Sequence, residues 1–180
     1  MTQRSFPSQS PAEVLDSICT VQLGGELFAV RLTDVVEVMA APPVQGCPLS
    51  PAYIAGLMHY RGDVFTVVQL RALLSLPIST LAENRTITLV MAGMHGLFAL
   101  QVDGMGDVRT LAASLLESVP TMTDAKRHSF LRGVYKLDHG LLPLLDVQRL
   151  EPVALRAWTA AHTHEAKIAG REESSHAIAS

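Results

Sequence analysis

The residues able to do chemistry in this chain are scattered, and their spacing argues against each reaction in turn. His162 and His164, followed by Glu165, come nearest to a metal motif. Spacing of i, i+2 turns the two imidazoles to different faces of a helix, so they read as solvated tail histidines. His59, His95, His128 and His139 stand singly in segments that read as turns or half-buried strands; His59, close to Arg61, keeps a minor claim to interface work. Cys19 and Cys47 lie far apart with no other cysteine beside them. That pattern fits two reduced thiols packed as small hydrophobes, not a disulfide framework or a zinc ribbon. Gly104-x-Gly106 lacks the third glycine of a nucleotide loop and reads as a turn. The chain carries neither a nucleophile elbow nor a Walker loop, and no two carboxylates stand out as acid and base. The expectation is a protein with no catalytic residue, no metal ligand and no cofactor.

One cation draws notice. The stretch "GLMHYRGDVFTVVQL", Gly56 to Leu70, sets Arg61 between two short apolar runs. Arg61-Gly62-Asp63 spells an adhesion tripeptide, but the N-terminal "MTQRSFPSQSPAEVLDS" has no apolar core of a signal peptide, so secretion is not expected. Two readings stay open on spacing alone. In the first, Gly62 supplies positive φ to a hairpin turn and Arg61 is simply solvated. In the second, Arg61 projects from a rigid turn toward a partner, because guanidinium stacks and pairs bidentately at interface hot spots.

The elements that must hold such an arginine are strands. The chain has 180 residues, 48% hydrophobic and 17% charged, enough for one medium domain or two small subdomains sharing a core. A formal net charge of −3 without a basic block offers no footing for nucleic acid or an anionic membrane. No apolar run reaches bilayer length, and a cytoplasmic protein is expected. Residues 1–16 read as a flexible arm. "SICTVQL", Gly24-Gly25 and "ELFAVRL" predict a hairpin, and Thr33 and Asp34 start a turn into a strand over Val35 to Met39. Ser50-Pro51 predicts one helical turn in "AYIAG". "LMHY" and "VFTVVQL" predict a second hairpin, and "RALLSL" a short helix ended by Pro77. "RTITLVMA" and "LFALQVD" form a third hairpin. "GMGDVRTLAASLLESVP" is expected to begin as an edge segment and end as an amphipathic helical piece. "FLRGVYKL" and "LLPLLDV" close the folded part, 17–152. Within 153–180, a C-terminal helix to about Lys167 packs Trp158 on the body, and disorder is expected beyond Gly170.

An internal echo organises these pieces. "GLMHYRGDVFTVVQLRAL" from Gly56 resembles "GVYKLDHGLLPLLDVQRL" from Gly133, with Thr66 matching Pro143, Gln69 matching Asp146 and Leu70 matching Val147. One extra residue is expected in the second turn. A duplicated hairpin-plus-helix unit predicts a mainly β protein of two similar small barrels.

In this order, the motifs resemble the CheW-like coupling proteins of bacterial chemosensory arrays, from about Ile18 to Leu150. Pro51-Ala-Tyr-Ile-Ala-Gly56 is similar to the family's proline-started turn. Gly56…Arg61-Gly62 before an apolar strand is similar to its Gly-x-x-Asn-x-Arg-Gly signature. Gln101-Val-Asp103-Gly is similar to its Val-Asp-x-Val segment, and Gly133…Leu142-Pro-Leu-Leu-Asp146 to its closing hairpin. The resemblance implies two five-stranded SH3-like barrels and a non-enzymatic adaptor. Its implied partners are the cytoplasmic tip of chemoreceptors (methyl-accepting chemotaxis proteins) and the regulatory domain of a CheA-type histidine kinase, with recruitment to membrane arrays only through the receptors. It implies that Arg61 contacts a partner, that Val35, Glu37, Met105 and Val108 line a receptor-facing groove between the barrels, and that Gly56 and Gly62 are structural turn glycines. Three bland alternatives stay open: Val35 and Val108 as ordinary core, Glu37 as the mate of a local arginine, and the whole chain as a ligand-binding barrel or unrecognised enzyme.

The chain departs from the family pattern at three positions: His59 stands for Asn, Thr66 for Pro and Gln69 for Asp. The carboxylate missing at position 69 removes an internal mate for a nearby arginine, and an anion on the partner is expected to replace it. Whether the output is swimming or another chemosensory response stays open.

Overall fold

β-Branched and aliphatic residues punctuated by glycine turns carry the chain through eleven short strands among the described residues. The computed structural model describes residues 14–77, 86–121, 123–138 and 140–160. The strands are β1 (Leu15–Leu23), β2 (Glu26–Arg31), β3 (Val35–Ala40), β4 (Ile54–Tyr60), β5 (Asp63–Gln69), β6 (Ile87–Ala92), β7 (Leu97–Val102), β8 (Gly104–Ala112), β9 (Leu116–Glu117), β10 (Leu131–Leu137) and β11 (Gly140–Leu145). Three one-turn helices follow strands or loops: α1 (Leu70–Leu73), α2 (Ala125–His128) and α3 (Val147–Leu150). A fourth, α4, covers residues 152–160.

The strands form two open sheets, ordered β8-β1-β2-β11-β10-β9 and β3-β6-β7-β5-β4. The second order repeats the first element for element once the short β9 is set aside. In both, three antiparallel ladders surround a single parallel one, β2 beside β11 at Ala29 and Leu144, and β7 beside β5 at Ala99 and Val67. The chain is therefore a duplication whose halves have exchanged hairpins. The β1–β2 hairpin of the first half joins the strands of the second half, and β6–β7 joins those of the first.

The echo at Gly56 and Gly133 is real at atomic level. Each glycine follows a register shift in its strand and sits opposite the strand position that makes the parallel contact, Val67 or Leu144. At each, a neighbouring backbone passes where a Cβ would stand. At Gly56, whose φ is +147°, a Cβ would fall on the Gln45 carbonyl; at Gly133 it would lie 2.6 Å from the Glu117 carbonyl oxygen. Gln45 makes a lone bridge to Leu57, and Glu117 of β9 pairs with Val134. This explains why the sheets have six and five strands where five and five were expected: the same closing segment is a two-residue strand in one half and a single bridge in the other. The anticipated extra residue in the second turn is absent, because β10 ends at Leu137 and β11 resumes at Gly140 just as β4 ends at Tyr60 and β5 resumes at Asp63.

Each sheet wraps its own small cluster: Met58, Tyr60, Phe65, Val67, Val90 and Ala99 in one, and Ile18, Ala29, Tyr135, Leu142 and Leu144 in the other. A larger core lies between them. Val21 and Phe28 meet Met91 and Phe98 there, along with Leu70 and Leu73 of α1, Val147 and Leu150 of α3, and Leu155 of α4. Trp158 of α4 packs against Phe130, their ring centroids 5.1 Å apart, as the sequence predicts for this residue. The expected end of that helix near Lys167, the tail beyond Gly170, and His139, His162 and His164 lie outside the described residues.

Four local expectations are corrected. "AYIAG" forms a turn closed by Ile54 N–H to the Pro51 carbonyl at 2.8 Å and then enters β4, since Ile54 pairs with Val68 across the sheet and no second helical bond can form. The helical piece before Pro120 shrinks to one 3-10 turn, Ala113–Leu115, because β8 extends to Ala112 along β1 and claims the residues before it. β1 starts at Leu15, within the expected arm, with Asp16 accepting the Tyr135 hydroxyl at 2.8 Å. Cys19 is buried as expected, but Cys47 is exposed in the loop after β3.

Two outcomes test this architecture. Gly56→Ala combines a forbidden contact with backbone strain and is expected to destabilise the fold by about 2 kcal/mol or more, read as a lowered Tm. Burial, reinforced by the Asp16 bond, pushes the Tyr135 phenol from 10.0 up to about 12. Between those values the folded chain keeps a proton that the unfolded chain has lost, so this component of stability is full below pH 10 and drains away as pH rises toward about 12. The alkaline loss of stability should be shallower in Tyr135→Phe, and equal slopes would show that the phenol is not so perturbed.

Candidate partner-binding site

Arg61 occupies the first position of a two-residue hairpin turn, with φ at +50°, followed by Gly62 at +95°. Two positive φ values in succession are the signature of the turn type whose twist matches a hairpin, and asparagine or glycine ordinarily fills its first position. Gly62 meets the requirement without strain. An arginine does so at a cost of about 1 kcal/mol.

Three side chains converge on that turn. Nη2 of Arg61 lies 3.0 Å from Oε2 of Glu37 on β3, and the Tyr60 hydroxyl donates to the same oxygen. The guanidinium carbon stands 4.9 Å from the centre of the Tyr60 ring, within cation–π range. Tyr60 is buried, its ring set edge-on to Phe65 at 5.9 Å and 64°. The hydrogen bond to Glu37 raises the Tyr60 phenol pKa, with burial and the Glu37 charge adding to it and the Arg61 charge opposing. The Arg61 side chain nevertheless remains 74% exposed. It is a cation held in place at the surface.

The other sequence-selected residues separate. On β3, alternation turns Val35, Glu37 and Met39 inward and leaves Val36 and Val38 exposed. Val35 packs against the core between the sheets, which is the ordinary-core alternative, and Glu37 does pair with a local arginine. Met105 and Val108 are exposed on β8, the outer strand of the other sheet, opposite Val21 and Cys19 of β1, so Val108 is not core. Side chains of both sheets fill the core between them, beside a hollow of about 240 Å³ lined by Arg31, Ala92, Met94 and Arg132, and the exposed Val36, Val38, Met105 and Val108 lie on the outer strands β3 and β8. Gly62 is a turn glycine, whereas Gly56 lies inside β4, where it admits the Gln45 backbone.

Sequence reasoning missed Tyr60, Val36 and Val38. Period-two alternation from a buried Val35 would have flagged the two valines; the part played by Tyr60 depends on β3 reaching the hairpin tip and left no local trace. The outer face of that hairpin adds Leu57 and Val64, both exposed, beside His59. The arginine left without Gln69 as a carboxylate has an internal mate after all. Arg71 lies 3.6 Å from Asp103, which also accepts the Gly24 N–H at 2.6 Å.

The equivalent end of the six-stranded sheet is built differently. Counting from the matched glycines, Leu137 stands where Tyr60 stands and Asp138 where Arg61 stands. A hollow of about 360 Å³ there is lined by Leu27, Leu137, Leu141 and Leu142, with Asp107 and Arg109 beside them.

The fold is a β-sheet module with exposed apolar edge strands and an exposed cation at a hairpin tip. The chain belongs to the CheW-like domain family, which matches residues 17–152. It is 26% identical over 130 residues to a probable chemotaxis protein CheW of Rhizobium etli, covering 72% of this chain and 83% of that one. It is 25% identical over 128 residues to the chemotaxis protein CheW of Klebsiella aerogenes, covering 71% and 76%. The scaffolding protein TtCheW of Thermoanaerobacter tengcongensis has a similar fold, with a TM-score of 0.69, 21% identity and coverage of 76% and 92%. The family is one of adaptors, and the chain is not an enzyme.

Because Arg61 is the strained member of its turn, Arg61→Gly is expected to hold or raise the melting temperature, by up to about 1 kcal/mol of stability once the lost ion pair is set against the relief of strain. A clear drop in Tm would mean that the arginine holds the hairpin together.

Proposed function

We propose that this chain is a cytoplasmic adaptor that couples chemoreceptors to a CheA-type histidine kinase in chemotaxis or a related chemosensory pathway, reaching membrane arrays only through the receptors. Family membership supports the coupling role, and the alternative of a ligand-binding barrel or an unrecognised enzyme draws no support from it. Among the described residues no helix is long and apolar enough to cross a membrane, in keeping with indirect recruitment.

The observation that carries the reading is Arg61, mostly exposed yet held in a conformation that arginine disfavours. Strain kept at an exposed position points to a selected function. A guanidinium already fixed by Glu37 and Tyr60 loses little side-chain entropy on binding, and its exposed face offers donors to an acceptor on the partner. The exposed valines of β3 and the Met105 and Val108 pair of β8 supply apolar area that suits the aliphatic stripe of a helical receptor tip.

Arg61→Ala is expected to leave the fold intact and weaken capture of the kinase or the receptor tip by about 1–3 kcal/mol, measured with matched full-length partners. Unchanged binding to both would reduce Arg61 to turn decoration. Val108→Asp, which sets a charge on exposed apolar surface, should weaken receptor capture by about 1–3 kcal/mol while leaving folding stability within about 0.5 kcal/mol of wild type. Receptor binding that survives this change would remove β8 from the contact surface.

A further inference from the structure

We propose that Tyr60 is a positioning residue for Arg61: its ring and hydroxyl hold the guanidinium in the geometry the partner recognises. This rests on the reading of Arg61 as a partner contact.

The bland account of Tyr60 is core filling. It belongs to the cluster inside the five-stranded sheet and packs edge-on against Phe65. The duplicated half supplies an internal control for that account. At the same place in the other sheet stands Leu137, which packs against its own cluster without a hydroxyl or an aromatic face. Packing at this position therefore needs no phenol. The residue after Leu137 is Asp138, so there is no cation to hold. The counterpart of Glu37 across the duplication is Asp107, whose carboxylate lies 3.8 Å from Arg109 on its own strand. At this hairpin position the phenol occurs in the half whose turn has the arginine; the phenol of the other half, Tyr135, stands two residues earlier than Leu137 and donates to Asp16 instead of serving the turn.

What the phenol adds is specific to Arg61. Its hydroxyl and Nη2 of Arg61 share Oε2 of Glu37, and its face lies 4.9 Å from the guanidinium carbon. The carboxylate and the ring thus bracket the guanidinium from two sides. An exposed arginine otherwise samples many rotamers, and each one lost on docking weakens the complex. A buried ring is a platform that does not move, so the guanidinium it stacks against meets the partner already placed. In the resembling signature, Gly-x-x-Asn-x-Arg-Gly, Tyr60 falls on an unspecified position, so the signature does not prescribe this support.

The test is a double-mutant cycle in the full chain, read as affinity for a matched full-length CheA-type kinase, with melting temperatures measured alongside. Tyr60→Leu copies the residue used in the other half and should weaken binding about threefold to tenfold, with Tyr60→Phe, which keeps the stack and loses the hydroxyl, falling between it and wild type. In the Arg61→Ala background the same Tyr60→Leu change should alter affinity less than about twofold, because there is no guanidinium left to place. The ring is expected to shift the Arg61 Nε–H resonance upfield in wild type, and the resonance should return to its ordinary position in Tyr60→Leu. Arg61→Ala binding as wild type does would overturn the partner-contact reading and this proposal with it. Arg61→Ala binding weakly while Tyr60→Leu binds normally, or Tyr60→Leu costing the same in both backgrounds, would overturn the positioning role alone.

Discussion

Two parallel contacts, Ala29 beside Leu144 and Ala99 beside Val67, govern the rest of this molecule. Each joins a hairpin from one half of the chain to strands of the other, so neither half can complete a sheet alone. The exchanged hairpins bring Val21, Phe28, Met91 and Phe98 to a common interior, and α1, α3 and α4 settle over it. The consequence is one cooperative unit with two pseudo-equivalent ends. Its contacts are mostly distant in sequence, and such topologies close late and slowly because loop entropy is lost before the pairing rewards it.

Equivalence of scaffold does not extend to the ends. At one, a strained arginine, a buried tyrosine and a carboxylate from β3 form a charged tip with an exposed cation. At the other, four leucines line a hollow with an acid and a base close by. The duplicated strand order supplies two similar platforms, and the side chains at their turns and edges make them different. The core that keeps the fold and the side chains that differ between the two ends thus occupy separate places.

Legibility in the sequence follows the range of the interaction. The hairpins at Gly24-Gly25, at Gly62 and before Gly140 were readable, since glycine at positive φ is a local demand. The echo between Gly56 and Gly133 was readable too, although the second and cleaner one, Leu27-Phe28-Ala29-Val30 against Leu97-Phe98-Ala99-Leu100, passed unnoticed. It marks the exchanged hairpins themselves. "AYIAG" misled because a proline-started turn looks alike whether a helix or a strand follows, and pairing with Val68 decided it. Cys47 misled because hydrophobicity says nothing about which loop residues the fold leaves outside.

From the sequence alone came the fold class, the family resemblance, the two-unit plan and the singling out of Arg61. These depend on alternation, turn chemistry and ordered motifs, all of which lie along the chain. Tertiary structure alone decided that the halves exchange hairpins, that both sheets share one core between them, that Val35 turns inward while Val36 and Val38 turn out, and that Glu37 and Tyr60 meet the arginine. Each of those outcomes requires groups far apart in the chain to meet, and a strand's edge, face and neighbours exist only once the sheet around it has formed.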